Sequence, residues 1–157
     1  MDFNGLENYL TTLPDKVLDR ASAIVAETAT EYYKRRFTEK AFDGNPWAPP
    51  RIPKKTGSLL IDSGKLLNSI RPAYVGRDKV VISAGNDQVG YAKVHNEGYA
   101  GSVVVPAHVR RTRKYGDVNV KEHTRQANIP QRQFMGKSDE LAAEIHKRIE
   151  GYINSLK

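Results

Sequence analysis

The chain has 157 residues, with 25 Lys and Arg against 18 Asp and Glu for a net charge of +7, and it has no cysteine. That length suits one domain able to bury about 70% of its unfolded surface, so neither a disulfide nor a structural metal is required for stability. The lack of thiols excludes disulfide frameworks, thiolate zinc sites and cysteine nucleophiles and suits a reducing cytoplasm, and no apolar run approaches the roughly 20 residues of a membrane span.

The first residues, Met1-Asp2-Phe3-Asn4, carry an acid and no basic stretch, so no secretory leader is expected there. A short helix is expected over 6–13 and a long amphipathic one over 14–40. Pro14 suits the first helical position and Asp15 the positive end of the helix dipole. Val17, Ala21, Ile24, Val25, Thr28, Tyr32 and Phe37 recur at helical steps as one stripe, opposite Asp19, Glu27, Glu31, Lys34 and Arg35.

Residues 42–58 hold Gly44, Pro46, Pro49, Pro50, Pro53 and Gly57, which excludes regular helix and central strand. Trp47 within this loop is read as an anchor onto the core. Asp62 or Ser63 is then expected to cap a short helix that buries Leu66, Leu67 and Ile70 and stops at Pro72. Residues 73–75 and 79–83 form a strand pair across Gly76-Arg77-Asp78. A further short helix over 91–96 turns Tyr91, Val94 and His95 inward and closes on Gly98 in the left-handed conformation.

Residues 102–128 read as a two-stranded ribbon around Lys114-Tyr115-Gly116-Asp117. A tight turn centred on Tyr115-Gly116 sets Arg111 against Val120, Val109 against Glu122 and His108 against His123. One face then carries Val103, Val105, Val109, Val118 and Val120, and the other His108, Arg110, Lys121, His123 and Arg125. Between Pro106 and Lys137 eight basic residues meet only Asp117 and Glu122, which places +6 of the net +7 in this stretch. Such a concentration implies an anionic partner. The partner-contact candidates are His108, Arg110, Arg111, Arg113, Lys114, Lys121, His123 and Arg125, facing DNA phosphates or an acidic protein surface. Ser138 caps a last helix over 138–156, with Leu141, Ile145, Ile149, Tyr152, Ile153 and Leu156 as its apolar stripe.

Chemistry finds little support. His95 reads as a satisfied, partly buried imidazole, since no second histidine and acid join it as a nuclease metal site requires. His108 and His123 stand among cations that would repel a divalent ion, so neither a metal nor a cofactor is expected. The Gly-x-Ser-x-Gly elbow and the glycine-rich phosphate loops are absent.

Three phrases remain, each a specific set of turn residues with an aromatic and a polar side chain. They are Leu60-Ile61-Asp62-Ser63-Gly64-Lys65-Leu66-Leu67-Asn68-Ser69-Ile70, Tyr91-Ala92-Lys93-Val94-His95-Asn96-Glu97-Gly98, and Ile129-Pro130-Gln131-Arg132-Gln133-Phe134-Met135-Gly136. In that order, preceded by Trp47-Ala48-Pro49, they resemble the phage virion morphogenesis (tail-completion) family. The matching positions are Trp47, Pro49, Asp62, Gly64, Leu66, Ser69, Ile70, Tyr91, Ala92, His95, Gly98, Pro130, Arg132, Phe134 and Gly136. Gln133 departs from the proline expected after the arginine, and Asn96-Glu97 stands where a single polar residue usually precedes the glycine. The resemblance implies an α+β fold, no enzymatic activity, and a ring, most often of six copies, at the head-proximal end of a phage or prophage tail. It also implies tail-tube or connector proteins as neighbours, in the bacterial cytoplasm during assembly and then in the virion.

Taken together, these readings lead to one α+β domain. An antiparallel sheet is packed by the long N-terminal helix and the C-terminal helix, with the basic ribbon projecting. Phe134 is expected to plug the core while Arg132 reaches a carboxylate, in the same subunit by preference or else across an interface. The competing function is a stand-alone basic nucleic-acid-binding protein or small nuclease.

Overall fold

A computed structural model of the chain describes residues 2–53 and 56–156. Lys54 and Lys55, inside the loop read over 42–58, lie outside the described residues. Helix α1 (Phe3–Thr11) leads into the long α2 (Asp15–Glu39), and β1 (Ala41–Phe42) and β2 (Asn45–Pro46) make a small hairpin. Helix α3 (Lys65–Asn68), strands β3 (Arg71–Val75) and β4 (Val80–Ser83), and helix α4 (Ala92–Glu97) follow. Strands β5 (Tyr99–Val105), β6 (His108–Thr112), β7 (Gly116–Val120) and β8 (His123–Ile129) precede the final helix α5 (Asp139–Ser155). The class is α+β. The strands form four separate antiparallel pairs, β1–β2, β3–β4, β5–β8 and β6–β7, in place of the single sheet expected. No helix among the described residues is long and apolar enough to cross a membrane.

Helix α2 is the axis of the body. Its buried residues Val17, Ala21, Ile24, Thr28, Tyr32 and Phe37 recur every three to five positions, and α5 and the β3–β4 hairpin both pack against it. Pro14 stands one place earlier than expected, as the N-cap with an extended ψ of 146°, so that Asp15 opens the helix. Helix α5 buries Leu141, Ala142, Ile145 and Ile149, whereas Leu156, expected in that stripe, is exposed beyond the end of α5.

The Arg36 side chain, absent from the sequence-derived stripe, is buried on α2. Its guanidinium lies 4.0 Å from the centre of the Tyr32 ring, with Nη1 3.2 Å from the Glu140 carboxylate and Nη2 2.9 Å from that of Glu39. A buried cation is tolerated where carboxylates and an aromatic face surround it.

Ser138 caps α5: its Oγ accepts a hydrogen bond from the Leu141 N–H at 3.2 Å. The same hydroxyl donates to Asp43 at 2.9 Å and lies 2.7 Å from the Tyr32 hydroxyl, so one buried side chain joins α5, α2 and the β1–β2 turn. Ser138→Ala is expected to cost about 1–2 kcal/mol, the upper range for a lost cap, read as a lower urea midpoint at unchanged slope.

Other sequence expectations move. Neither Asp62 nor Ser63 caps α3, because Gly64 at φ 73° occupies the N-cap without a side-chain bond. Pro72 does not stop that helix. It ends at Asn68, and Pro72 lies within β3 opposite Ile82, beside an irregularity that precedes Tyr74. Ser69 is buried; its Oγ donates to the Leu66 carbonyl at 2.7 Å and accepts from the Gly85 N–H at 2.9 Å, which ties α3 to the turn after β4.

Candidate functional site

Two surfaces carry the sequence candidates: a buried junction and the ribbon it supports. The junction is where the sequence phrases meet. Trp47 is buried, and its indole N–H donates to the Gln133 carbonyl at 2.6 Å. Its ring centre lies 5.5 Å from that of Phe37, which in turn lies 5.0 Å from that of Phe134. Arg132 is also buried, but among the described residues of its own chain it reaches no carboxylate. Its Nε donates to the Ala48 carbonyl at 3.0 Å and its Nη2 to the Pro49 carbonyl at 3.4 Å. The proline-rich loop leaves carbonyls without partner amides, and a planar fork of donors satisfies two of them at once.

The departure at Asn96-Glu97 has a structural purpose. Asn96 Oδ1 accepts the main-chain N–H groups of Phe134 and Met135, each at 2.9 Å, and its Nδ2 donates to the Met135 carbonyl at 3.2 Å. Sequence reasoning missed this clamp, because an asparagine two residues before a glycine reads locally as a helix end. Helix α4 also sits differently from expectation. Ala92 is its buried residue, while Tyr91 is exposed and edges onto His95 with ring centres 5.7 Å apart. Gly98 has φ 79° and ψ 169°, so it has positive φ but is outside the left-handed helical region. A Cβ there would lie 3.0 Å from the Gln131 nitrogen, which explains the glycine at this close crossing of two chain segments.

His95 is half-buried, and its carbonyl accepts the Arg132 N–H at 2.8 Å. Burial, reinforced by the Arg132 charge, holds the imidazole below its ordinary 6.5. The unfolded imidazole therefore takes up a proton that the folded one resists, so stability drops as pH falls from about 6.5 through the lowered native value. His95→Gln should remove that component, so its urea midpoint should fall less than the parent's between pH 8 and pH 5. Equal falls in both proteins would refute it. Among the described residues no three His, Cys, Asp or Glu side chains gather as a metal group.

The ribbon leaves this junction at both ends: β5 begins directly after Gly98, and β8 ends directly before Pro130. Its register runs from Tyr99 opposite Ile129, through Val105 opposite His123 and His108 opposite Val120, to Thr112 opposite Gly116. Both segments share one register, so they form one ribbon whose pairing lapses at Pro106-Ala107 and Lys121-Glu122, where Pro106 has no N–H to give. From base to tip it spans about 45 Å at roughly 3.4 Å per residue.

The turn is Arg113-Lys114-Tyr115 closed by Gly116 at φ 67°, a three-residue loop and not the two-residue turn expected. Thr112 Oγ holds it, accepting the Tyr115 N–H at 3.0 Å and donating to the Gly116 carbonyl at 3.1 Å. The expected register is therefore displaced. Arg111 faces Asp117, Val109 faces Asn119, and His108 faces Val120 instead of His123. Because the displacement is odd, the expected sorting of charge onto one face fails. Arg110 pairs with Val118 on one face, and Val103 pairs with Arg125 on the other.

None of the ribbon residues is buried, and His108, Arg110, Arg111, Arg113, Lys114, Lys121, His123 and Arg125 are all exposed. Arg111 lies 3.7 Å from Asp117, an ion pair open to solvent. Apolar side chains stand out with the cations, Val104 at 59%, Val109 at 62% and Tyr115 at 71% exposure. Exposed valines, a tyrosine and arginines thus stand together on one arm, with His108 and His123 among them.

The sequence model of the phage virion morphogenesis family matches residues 1–154 of the chain. Neither a curated protein nor a solved structure matches it.

Proposed function

The chain belongs to the phage virion morphogenesis family, and on that premise we propose that it completes the tail or joins it to the head, as a ring of about six copies at the tail's head-proximal end. Its role is structural, in building a phage particle. The observation that carries the finer reading is the ribbon: a long, uncovered, cationic and apolar arm on a buried mount. A ring requires a head-to-tail contact between unlike surfaces, and an arm extending beyond its own body supplies one of them. Cations along the ribbon meet an acidic face on an adjoining tail-tube or connector protein, or DNA phosphates in passage. The protein works by docking, without catalysis, first in the bacterial cytoplasm and then in the tail or neck.

The test is complementation. A phage lacking this protein should yield separate heads and tails, and adding the purified chain should restore particles. Normal maturation without it would overturn the proposal, as would metal-dependent cleavage of plasmid DNA lost on His95→Ala. Replacing Arg110, Arg113, Lys121 and Arg125 with Glu should abolish salt-sensitive association with the neighbour.

A further inference from the structure

The body carries an apolar groove that its own chain leaves open. It has a volume of about 590 Å3 and lies between α1, α2 and the tip of the β3–β4 hairpin. Leu6, Leu10, Leu18, Val25, Val80 and Ile145 line it. Helix α1 packs on α5 while the β3–β4 hairpin packs on α2, and the groove lies between them over the Leu18 and Val25 side of α2.

The rim carries charge of both signs. Glu7 and Asp78 line it beside Arg77 and Lys79, and Asp15 stands near enough to act on Arg77. Arg77 itself is committed to Asp19, with Nε to Oδ1 at 2.6 Å and Nη2 to Oδ2 at 2.9 Å. Lys79 lies 5.8 Å from the Tyr74 ring centre. No cation among the described residues forms an ion pair with Glu7, Asp15 or Asp78. On helical spacing, Asp15 and Asp19 fall beside the groove, while Lys16 and Arg20 point to the far side of α2.

The ribbon tip has the opposite character. Tyr115 is its most exposed aromatic, flanked by Arg113 and Lys114, whose ammonium lies 5.1 Å from the Tyr115 ring centre. Arg110 and Arg111 follow one turn of ribbon behind. A two-stranded ribbon with nothing packed behind it is only marginally stable in water, so a covering partner stabilises it. An apolar slot with unpaired acids and an aromatic knob ringed by cations are complementary in shape class and in charge.

We infer that the groove between α1, α2 and the β3–β4 hairpin receives the ribbon tip of a second copy of this chain. Tyr115 fills the slot, and Arg113 and Lys114 face Glu7, Asp15 and Asp78. This rests on the ring reading above and names the two surfaces that would make it. The contact is between unlike patches, so each copy uses its tip on one neighbour and its groove on the other, the head-to-tail arrangement that a ring requires.

The lack of native cysteine makes the test direct. Asp117→Cys, exposed beside the ribbon tip, and Thr11→Cys, exposed at the groove, are purified separately, mixed and treated with a short bis-maleimide. The expected product is a mixed dimer joining the two variants, and the double variant should give a ladder of cross-linked rings. Separately, Tyr115→Ala should weaken self-association about 30-fold, the loss of a central aromatic anchor. Arg113→Glu with Lys114→Glu should weaken it too, with recovery on Glu7→Lys and Asp15→Lys. A ring that persists by light scattering, with no mixed dimer and no response to Tyr115→Ala, overturns the docking and leaves the ring reading standing. A parent that stays monomeric at millimolar concentration overturns the ring reading itself. Circular dichroism matching the parent shows that each variant is folded, as expected for exposed positions.

Discussion

Excision of 104–124, with the gap closed by an Asn-Gly turn that keeps Val103 opposite Arg125, is expected to leave a folded chain that no longer self-associates. The physical ground is that the ribbon contributes no buried residue, while the buried cluster draws on α1, α2, α3, α4, α5 and the loops around Trp47, Val89 and Phe134. Removing it withdraws exposed valines and cations and leaves that cluster untouched. The thermal midpoint should stay within about 3 °C of the parent, the shift that roughly 1 kcal/mol makes in a domain of this size. Both proteins are compared below the concentration at which the parent assembles, because association itself raises the midpoint. Light scattering at higher concentration should then show assembled parent and monomeric variant. Unchanged oligomer mass would show that the interface lies elsewhere on the body.

Phe134→Ala carries the largest expected loss of stability, about 3–5 kcal/mol. The ring is 1% exposed and packs on Phe37, and the backbone it anchors is held by Asn96 on one side and by Trp47 on the other. Truncation empties a site that cannot collapse, because its neighbours are aromatic rings and hydrogen-bonded main chain. Against a total stability of about 5–15 kcal/mol, this should lower the urea midpoint severely. Phe134→Leu keeps most of the volume and should cost far less. A loss below about 1 kcal/mol for the alanine variant would show that the junction is peripheral to the core. Since β5 and β8 both emerge from this junction, amide exchange at Tyr99 and Ile129 should also speed up in the alanine variant.

The two predictions separate the functions of the sequence phrases. Trp47, Asn96, Arg132 and Phe134 form the mount, and the ribbon is the mounted part. Residues that looked distinctive in the sequence are therefore mostly structural. The surface they position is the more ordinary run of valines and arginines between Val103 and Arg125. The hydrogen bonds and ring contacts among these residues fix both ends of the arm to the body, and the arm itself exposes area and charge.

What was legible in the sequence was local. The long helix, its apolar stripe, the Ser138 cap, the plug residues Trp47 and Phe134 and the β3–β4 turn each follow from spacing or turn chemistry within a few residues. The ribbon's existence followed the same way. Its register did not, because a three-residue loop and a two-residue turn use nearly the same residues yet displace every cross-strand pair, and an odd displacement exchanges the faces.

Long-range partners were decided only by the fold. Arg132 takes main-chain carbonyls more than 80 positions away, where charge alone suggested a carboxylate. Asn96 clamps a segment 38 positions on, and Gly64 displaces the acid expected as a cap. The groove beside α2 is likewise a product of how α1 and the β3–β4 hairpin straddle one helix. The amino-acid order determined which segments are helical, which are extended and which side chains must be hidden, since those depend on each residue's own backbone preference and polarity. Tertiary packing alone decided which polar group meets which, because a donor or a charge can be satisfied by many partners and only three-dimensional proximity selects one.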